Sequence, residues 1–391
     1  MKYLFIVQGE GRGHLTQAIT LENMLLEQGH EVVEILVGES SKRILPCFFK
    51  CKIKAPIKRF ASPNFLPTAA NKRVHIGRSI LYNMMKVPTY MQSMCYIRQR
   101  ISDSKADVVV NFYELLTGLT YALFRLQTPY FCIGHQYLFL HRDFEFPAVN
   151  QGNIWLLKFF THLTALRSEC KLALSFREME KDEKAHITVV PPLLRSEVYD
   201  LKPAQDPYWL GYMVNAGFAE SVKQYHRAHP EIPLHFFWDQ QAADEDTVED
   251  ATLSFHQVSD TKFLNYMERC CGYATTAGFE SVCEAMYLGK PILMVPVHIE
   301  QDCNAYDAIR SGAGIVAKDF ELDKLQAFAR HYQPNTSFSK WVHKAEYRIL
   351  PQLAPNPEKS QSPTFKANRI ALLRWWNQIS AMLIGLFNFF S

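Results

Sequence analysis

The stretch Ala274–Ala305, ATTAGFESVCEAMYLGKPILMVPVHIEQDCNA with the Asn304–Ala305 step at its end, constrains the fold of this chain more than any other. Gly272–Thr275 reads as the end of a strand, and a tight turn follows at Ala277–Gly278. Phe279–Leu288 suits a helix, with Gly289 placed as its left-handed C-terminal stop. Pro291 then opens the apolar run Ile292–Val295, a buried-strand pattern. Strand, Gly turn, helix and strand make one right-handed crossover of a parallel sheet, which makes the fold class α/β.

A small turn feeding a helix presents unpaired backbone N–H groups and the positive end of a helix dipole, which suits a phosphate. Ser281 can add a hydroxyl there. Glu284 lies one turn deeper on the same face, where a carboxylate accepts the two hydrogen bonds of a ribose diol. The loop His298–Asn304 carries Glu300, Gln301 and Asn304 at the C-terminal end of a strand, where open α/β sheets bind ligands. The competing reading is an ordinary crossover helix with solvated acids, Glu280 serving as a favourable first-turn charge.

The stretch resembles the donor-sugar site of glycosyltransferases with the two-domain GT-B architecture. It is similar to the lipid-linked GlcNAc transferase of peptidoglycan synthesis and to the UDP-glycosyltransferases of small molecules. The residues that carry the resemblance are Thr276, Gly278, Ser281, Glu284, Gly289–Lys290–Pro291 and Glu300–Gln301, followed by Asn304–Ala305. It implies that the turn and Ser281 hold a diphosphate, that Glu284 holds the ribose, and that Glu300 and Gln301 read sugar hydroxyls. It also implies that the loop Gln257–Asp260 packs against the base, Val258 included. The small-molecule enzymes usually have a His before the Gly turn, where this chain has Thr276–Ala277, so phosphate neutralisation depends more on the helix terminus. The implied fold is two Rossmann-like domains facing across a cleft. An acceptor domain spans 1–195, a nucleotide-sugar domain spans 207–355, and a spacer with an amphipathic helix spans 356–391. The Pro-rich, charged segment Arg195–Pro207 marks the boundary.

Tyr3–Val7, a Gly-rich loop from Gly9 to His14, a helix over Leu15–Gln28 and the strand His30–Val37 give β-loop-α-β at dinucleotide-fold spacing. The G-x-G-x-x-G pattern fails, because His14 stands where the third glycine is wanted and no acid ends the second strand. A Gly-rich loop ending in His resembles the acceptor-side loop of GT-B enzymes, and that of a related UDP-sugar hydrolase of nonulosonic acid pathways. Arg59–Phe65 reads as irregular, and Arg78–Arg100 as a basic, Met/Tyr-rich helix. Strands over Asp107–Asn111 and Tyr130–Ile133 end in loops holding Tyr113–Glu114 and His135. In a parallel sheet these C-terminal ends share one edge, so His14, Glu114 and His135 can converge, with Gly11 and Gly13 in the same acceptor-side loop.

With 48% hydrophobic and 21% charged residues in 391, the chain is globular and long enough for two cores. A net charge of +3 and the lack of any recognisable motif argue against nucleic acid. Nine scattered cysteines without zinc spacing, and a first strand where a signal peptide would stand, point to a reduced, cytoplasmic setting.

Sugar transfer needs a held leaving diphosphate, a base for the acceptor hydroxyl, and exclusion of water. No Asp-x-Asp metal motif occurs, so the expectation is a metal-independent, inverting transferase whose only co-substrate is a UDP-sugar, with no cofactor. His14 is the expected base, with Glu114 orienting it; His14 could instead cap its helix or bind an acceptor phosphate, and His135 could be the base. Two other functions stay open: a UDP-sugar hydrolase in which His14 activates water, and a non-catalytic nucleotide-sugar-binding protein.

After the spacer Pro355–Pro363, polar or small residues recur at helical spacing from Arg374 to Asn388, leaving a wide apolar face that includes Trp375, Trp376 and Phe387. Arg374, Asn377 and Gln378 argue against a spanning helix. The tail is expected either to strap the domains together or to lie at the inner face of the cell membrane. On the second reading the enzyme is peripheral and its acceptor is lipid-linked.

Overall fold

The computed structural model describes residues 1–40, 45–63, 83, 86–213, 216–238 and 246–355. The expected tail helix and most of the spacer lie outside these residues, as do parts of the expected Arg78–Arg100 helix and of the Gln240–Asp250 segment.

The first unit runs β1 (Lys2–Gln8), α1 (Arg12–Glu27), β2 (Glu31–Glu39), α2 (Cys47–Lys52), β3 (Ile57–Ala61), α3 (Val87–Ser104) and β4 (Val108–Phe112). It continues with α4 (Leu115–Phe124), β5 (Tyr130–Gly134), α5 (Gln151–Thr164), β6 (Cys170–Leu174) and β7 (Ile187–Val190). The seven strands form one parallel sheet in the order β3-β2-β1-β4-β5-β6-β7. β1 lies inside it beside the middle strand β4, Phe5 level with Ile35 on one side and Val110 on the other. β4 and β5 are buried along their whole length, as strands covered on both faces must be.

The second unit runs β8 (Trp209–Met213), α6 (Ala219–Ala228), β9 (Leu234–Trp238), β10 (Thr247–Val248), β11 (Leu253–Gln257), α7 (Asp260–Arg269), β12 (Gly272–Thr275) and α8 (Phe279–Tyr287). Then follow β13 (Ile292–Met294), α9 (Ile299–Arg310), β14 (Gly314–Val316), α10 (Leu322–Ala329), α11 (Thr336–Val342) and α12 (Ala345–Ile349). Its sheet order is β10-β11-β9-β8-β12-β13-β14, parallel except where the short β10 runs against β11. The strands sort by the two-residue period: Phe237, Ile292 and Met294 face the core shared with the first unit, whereas Phe236, Trp238 and Leu293 face a separate cluster under α6 and α10.

In both sheets the strand order reverses beside the central strand, and crevices at such switch points take ligands. The residues after β1 and β4 occupy the first crevice, and the Thr276–Gly278 turn occupies the second. The two units pack together through a continuous apolar cluster in which the His135 ring stacks on Phe279, centroids 3.9 Å apart. α11 and α12 return to the first unit, where Trp341 Nε1 donates to Ser175 O at 2.9 Å and Lys344 pairs with Glu178.

Arg59–Phe65, read as irregular, contains the end of edge strand β3, whose Lys58 and Arg59 reach Glu34 and Glu39. Charged side chains on an edge hide the alternation that marks a strand. The Gly9–His14 loop is shorter than expected: Gly11 is the N-cap and α1 begins at Arg12.

Candidate active site

α8 starts from a strained turn. Ala277 lies in the left-handed region at φ 61° although it carries a Cβ, a conformation that costs about 1–2 kcal/mol. Asn304 of α9 holds the turn, its Nδ2 donating to Ala277 O at 3.3 Å. Gly278 is the N-cap and no side chain among the described residues caps the helix, so its N-terminus is suited to a ligand. Ser281 Oγ donates back to Gly278 O at 3.2 Å. Thr275 Oγ1, Thr276 Oγ1 and Asn304 Oδ1 are buried around the turn without partners among the described residues. Buried polar groups are ordinarily satisfied, so an orphaned set of this kind fits a place that a ligand completes.

Glu284 is 2% exposed, and both its oxygens are held by Arg195, Nε at 2.6 Å and Nη2 at 2.8 Å. Arg195 belongs to the linker between the sheets and also pairs with Asp260 at the start of α7. A carboxylate can accept more bonds than these two, so the fork leaves lone pairs open to other donors. Gln301 Oε1 accepts from Val297 N at 2.9 Å, which folds that side chain over its own loop. Glu300 is half-buried and accepts from Gln136 Nε2 at 2.9 Å. Val258, half-buried, packs on the edge of the shared core.

Across the seam, His14 occupies the first turn of α1, not a flexible loop. Its ring is 8% exposed and stacks on Tyr113, centroids 5.6 Å apart. Tyr113 is positioned by its own left-handed φ of 60° and by a 2.8 Å bond between its hydroxyl and Thr161. Burial pushes the His14 pKa below the ordinary imidazole value, with Glu300 working weakly the other way, so the ring is neutral at pH 7. Gln17 Oε1 lies 3.4 Å from Nδ1, and Gln136 Nε2 lies 3.3 Å from Nε2.

Gly13 explains how closely the two units approach. A Cβ built on it would come within 2.3 Å of Glu280 Oε2. The Glu280 carboxylate therefore sits against the first turn of α1, bonded to Gln17 Nε2, and burial raises its pKa to about 7. Glu280 read in the sequence as a first-turn charge of its own helix; in the fold it reaches over to another. Gly11 N is satisfied by Gln8 Oε1 at 3.2 Å.

Glu114 does not orient His14. It caps α4, with Oε1 accepting from Leu116 N at 3.1 Å and from Ser62 Oγ at 2.6 Å, while Oε2 is buried against Gly38. Burial raises its pKa to about 7. The cause is local: Asn111 Oδ1 accepts from Glu114 N at 2.9 Å and bends the chain, so that Tyr113 takes the place beside His14. His135 does not share the crevice either. It is 1% exposed, its Nδ1 donates to Leu174 O at 2.7 Å, and its ring belongs to the aromatic seam with Phe139, Phe176 and Phe279. Gln17, Gln136 and Arg195 escaped the sequence reading; their spacing from His14 and Glu284 along the chain carries no signal except for Gln17, one helical turn beyond His14.

The family model for Glycosyl transferase family 1 matches residues 1–332. No curated protein sequence compared with the chain is a significant match. Among solved structures, UGT89C1 of Arabidopsis thaliana complexed with quercetin superposes with a TM-score of 0.60 at 15% identity, covering 90% of this chain and 98% of the other. UGT2 of Phytolacca americana, complexed with UDP-2fluoro-glucose and pterostilbene, gives 0.56 at 13% identity, covering 92% and 97%. The glycotransferase of kitacinnamycin gives 0.56 at 14%, covering 89% and 94%. At these identities the superpositions speak for the two-domain GT-B fold, while the family match spans most of the sequence; the chain belongs to glycosyl transferase family 1 and is a glycosyltransferase.

Proposed function

We propose that the enzyme transfers a sugar from a UDP-sugar to an acceptor hydroxyl, with inversion and without a metal ion, residues 207–355 holding the donor and residues 1–195 the acceptor. The observation that carries this reading is the abutment of the His14 turn on the first turn of α8, where Gly13 meets Glu280. It puts a neutral imidazole beside a helix N-terminus suited to a leaving diphosphate. In this reading Thr276, Gly278 and Ser281 face the diphosphate, Glu284 the ribose, Val258 the base, and Glu300 with Gln301 the sugar. Inversion follows from a base that deprotonates the acceptor for direct displacement on the face opposite the diphosphate. Two neighbours were solved with UDP-2fluoro-glucose or quercetin bound, which supports a UDP donor and a hydroxyl acceptor.

The test is release of UDP from a panel of UDP-sugars, with and without small-molecule and polyprenyl-linked hydroxyl acceptors. Acceptor-dependent release is expected, unaffected by a chelator. Release without acceptor would mean a hydrolase, no release from any donor would favour a binding protein, and a strict requirement for Mg²⁺ or Mn²⁺ would exclude the metal-free mechanism.

For the tail the membrane reading is preferred, because α11 and α12 already supply the strap across the two units. The enzyme would then be cytoplasmic and peripheral, with a lipid-linked acceptor. Deleting 365–391 should abolish binding to anionic liposomes while leaving the melting temperature in place; unchanged partitioning with a collapsed melt would assign the tail to the fold.

A further inference from the structure

Among the described residues, neither nitrogen of His14 meets a carboxylate. Its two partners are carboxamides, and a carboxamide can present either end to a ring nitrogen. What decides the matter is the second partner of each amide. Gln17 Nε2 bonds Glu280, and Gln136 Nε2 bonds Glu300 at 2.9 Å. Once ionised, which for Glu280 means above about pH 7, a carboxylate only accepts, so each amide must turn its NH₂ towards it. Gln17 then has its oxygen left for His14 Nδ1, which must carry the proton. Gln136 offers an N–H to His14 Nε2, which must be the unprotonated nitrogen. Two independent contacts therefore specify one tautomer, and the carboxylates that dictate it belong to α8 and α9, across the seam from α1.

We propose that Gln17 is a positioning residue for His14, and that Glu280 reaching over from the donor-binding unit sets the Gln17 amide, so that the imidazole presents its Nε2 lone pair only when the two units are together. The inference rests on His14 being the base. With the tautomer held, Nε2 takes the acceptor's proton once the acceptor hydroxyl replaces the Gln136 N–H. The proton ends on the imidazole, the acceptor oxygen bonds the sugar carbon, and the diphosphate leaves with the electron pair of the broken bond. When the units part, Gln17 loses the group that fixes its orientation, and the ring is free to carry its proton on Nε2, where it cannot act as base. Gly13 is part of the arrangement, since any side chain there would hold Glu280 away from Gln17.

The tautomer is read directly from ¹⁵N-histidine spectra of the ligand-free full chain at a pH well above 7, where Glu280 is ionised, with His14→Ala locating the resonance. Wild type should show Nδ1 protonated and Nε2 unprotonated. Gln17→Ala should shift the ring towards the Nε2–H form and lower kcat by about 10–100-fold, the usual scale for a group that orients a reacting side chain. Its KM for the UDP-sugar should stay within about twofold of wild type, as expected of an interaction outside donor binding. Glu280→Ala, a change at the seam that leaves α1 intact, should show the same tautomer shift. The exchange variant Gln17→Glu/Glu280→Gln keeps an acceptor on Nδ1 and a donor behind it, so it should restore the wild-type tautomer and rate. Its acid limb should move to higher pH, because a carboxylate now faces the ring. An Nε2–H ring in wild type, or an unchanged ring in folded Gln17→Ala and Glu280→Ala, overturns the proposal. Retention of turnover by His14→Ala would instead overturn the assignment of the base, whatever the tautomer; loss of turnover in His14→Ala with none in Gln17→Ala would overturn the positioning role alone.

Discussion

Lys290, inside the Gly289–Lys290–Pro291 step, is 2% exposed, and its ammonium donates to Ala204 O at 2.6 Å, Glu268 O at 2.8 Å and Cys270 O at 2.8 Å. It ties the linker to the end of α7. Lys290→Met removes the three bonds and leaves buried carbonyls without donors, at about 1–3 kcal/mol for each group left unsatisfied. A denaturant melt should show a loss of at least about 2 kcal/mol; a loss under 0.5 would mean that water replaces the ammonium. Glu284 needs similar care. Glu284→Ala would take the two-oxygen fork away from buried Arg195 and leave it its bond to Asp260, and breaking a buried pair costs up to about 3–5 kcal/mol, so the alanine variant confounds affinity with stability. Glu284→Gln keeps an acceptor for the guanidinium and is the variant to use. It should weaken UDP binding by about 1–2 kcal/mol, the charge-assisted part of a hydrogen bond. Calorimetry giving unchanged affinity would remove Glu284 from the nucleotide site. His14 is the third case. Burial lowers its pKa, so the active neutral form persists below the ordinary value and the acid limb of kcat/KM should fall below pH 6.5. A limb above 6.5 would mean that another group titrates.

Helix starts and stops were readable where the backbone itself demanded a residue type. Gly289 at φ 66° ends α8, and Lys290 N bonds Ala285 O at 2.9 Å, as a glycine after a helix predicts. The start of α1 was misplaced because glycines suggest a loop, although Gly11 serves as N-cap and Gly13 is tolerated in a first turn. α4 shows an element's electrostatics acting on stability. Its cap Glu114 has a folded pKa raised to about 7 by burial, against 4.5 for the free group. Between these values the folded state binds the proton more tightly, so the residue's contribution is fully present below pH 4.5 and is lost as the pH rises through 7. The shift corresponds to on the order of 3 kcal/mol across that window. Glu114→Gln, neutral at every pH, should flatten the fall of the melting temperature between pH 5 and pH 8. An identical slope in both proteins would show that Glu114 does not carry this titration.

At the scale of the whole molecule, the two units are held by contacts between residues far apart in sequence. Trp341 is 4% exposed and spans the seam from α11 to Ser175. Trp341→Ala should cost about 3–5 kcal/mol, as buried aromatic truncations do. Because the loss falls between the units, the melt should split into two transitions; a single transition at an unchanged midpoint would deny the strap its role. Arg177 of the first unit reaches Asp307 of α9 and Ser311 just after it, the latter at 3.2 Å, and Arg310 pairs with Glu145.

The sequence by itself determined what depends on neighbours along the chain: the crossover from β12 through α8 to β13, the Gly turn before α8, the linker after β7, and the apolar runs that become central strands. Backbone conformation and two-residue or 3.6-residue periodicity act over a few residues, so they leave a local trace. Only the tertiary structure decided which polar groups meet. Which amides face His14, whether Glu114 points at its neighbour or at Ser62, and whether His135 opens to a crevice or closes a seam depend on how the elements dock in space. Hydrogen-bond partners are chosen by distance and direction in space, and Gln17 with Glu280, or Arg195 with Glu284, come together only once both units are folded and pressed against each other.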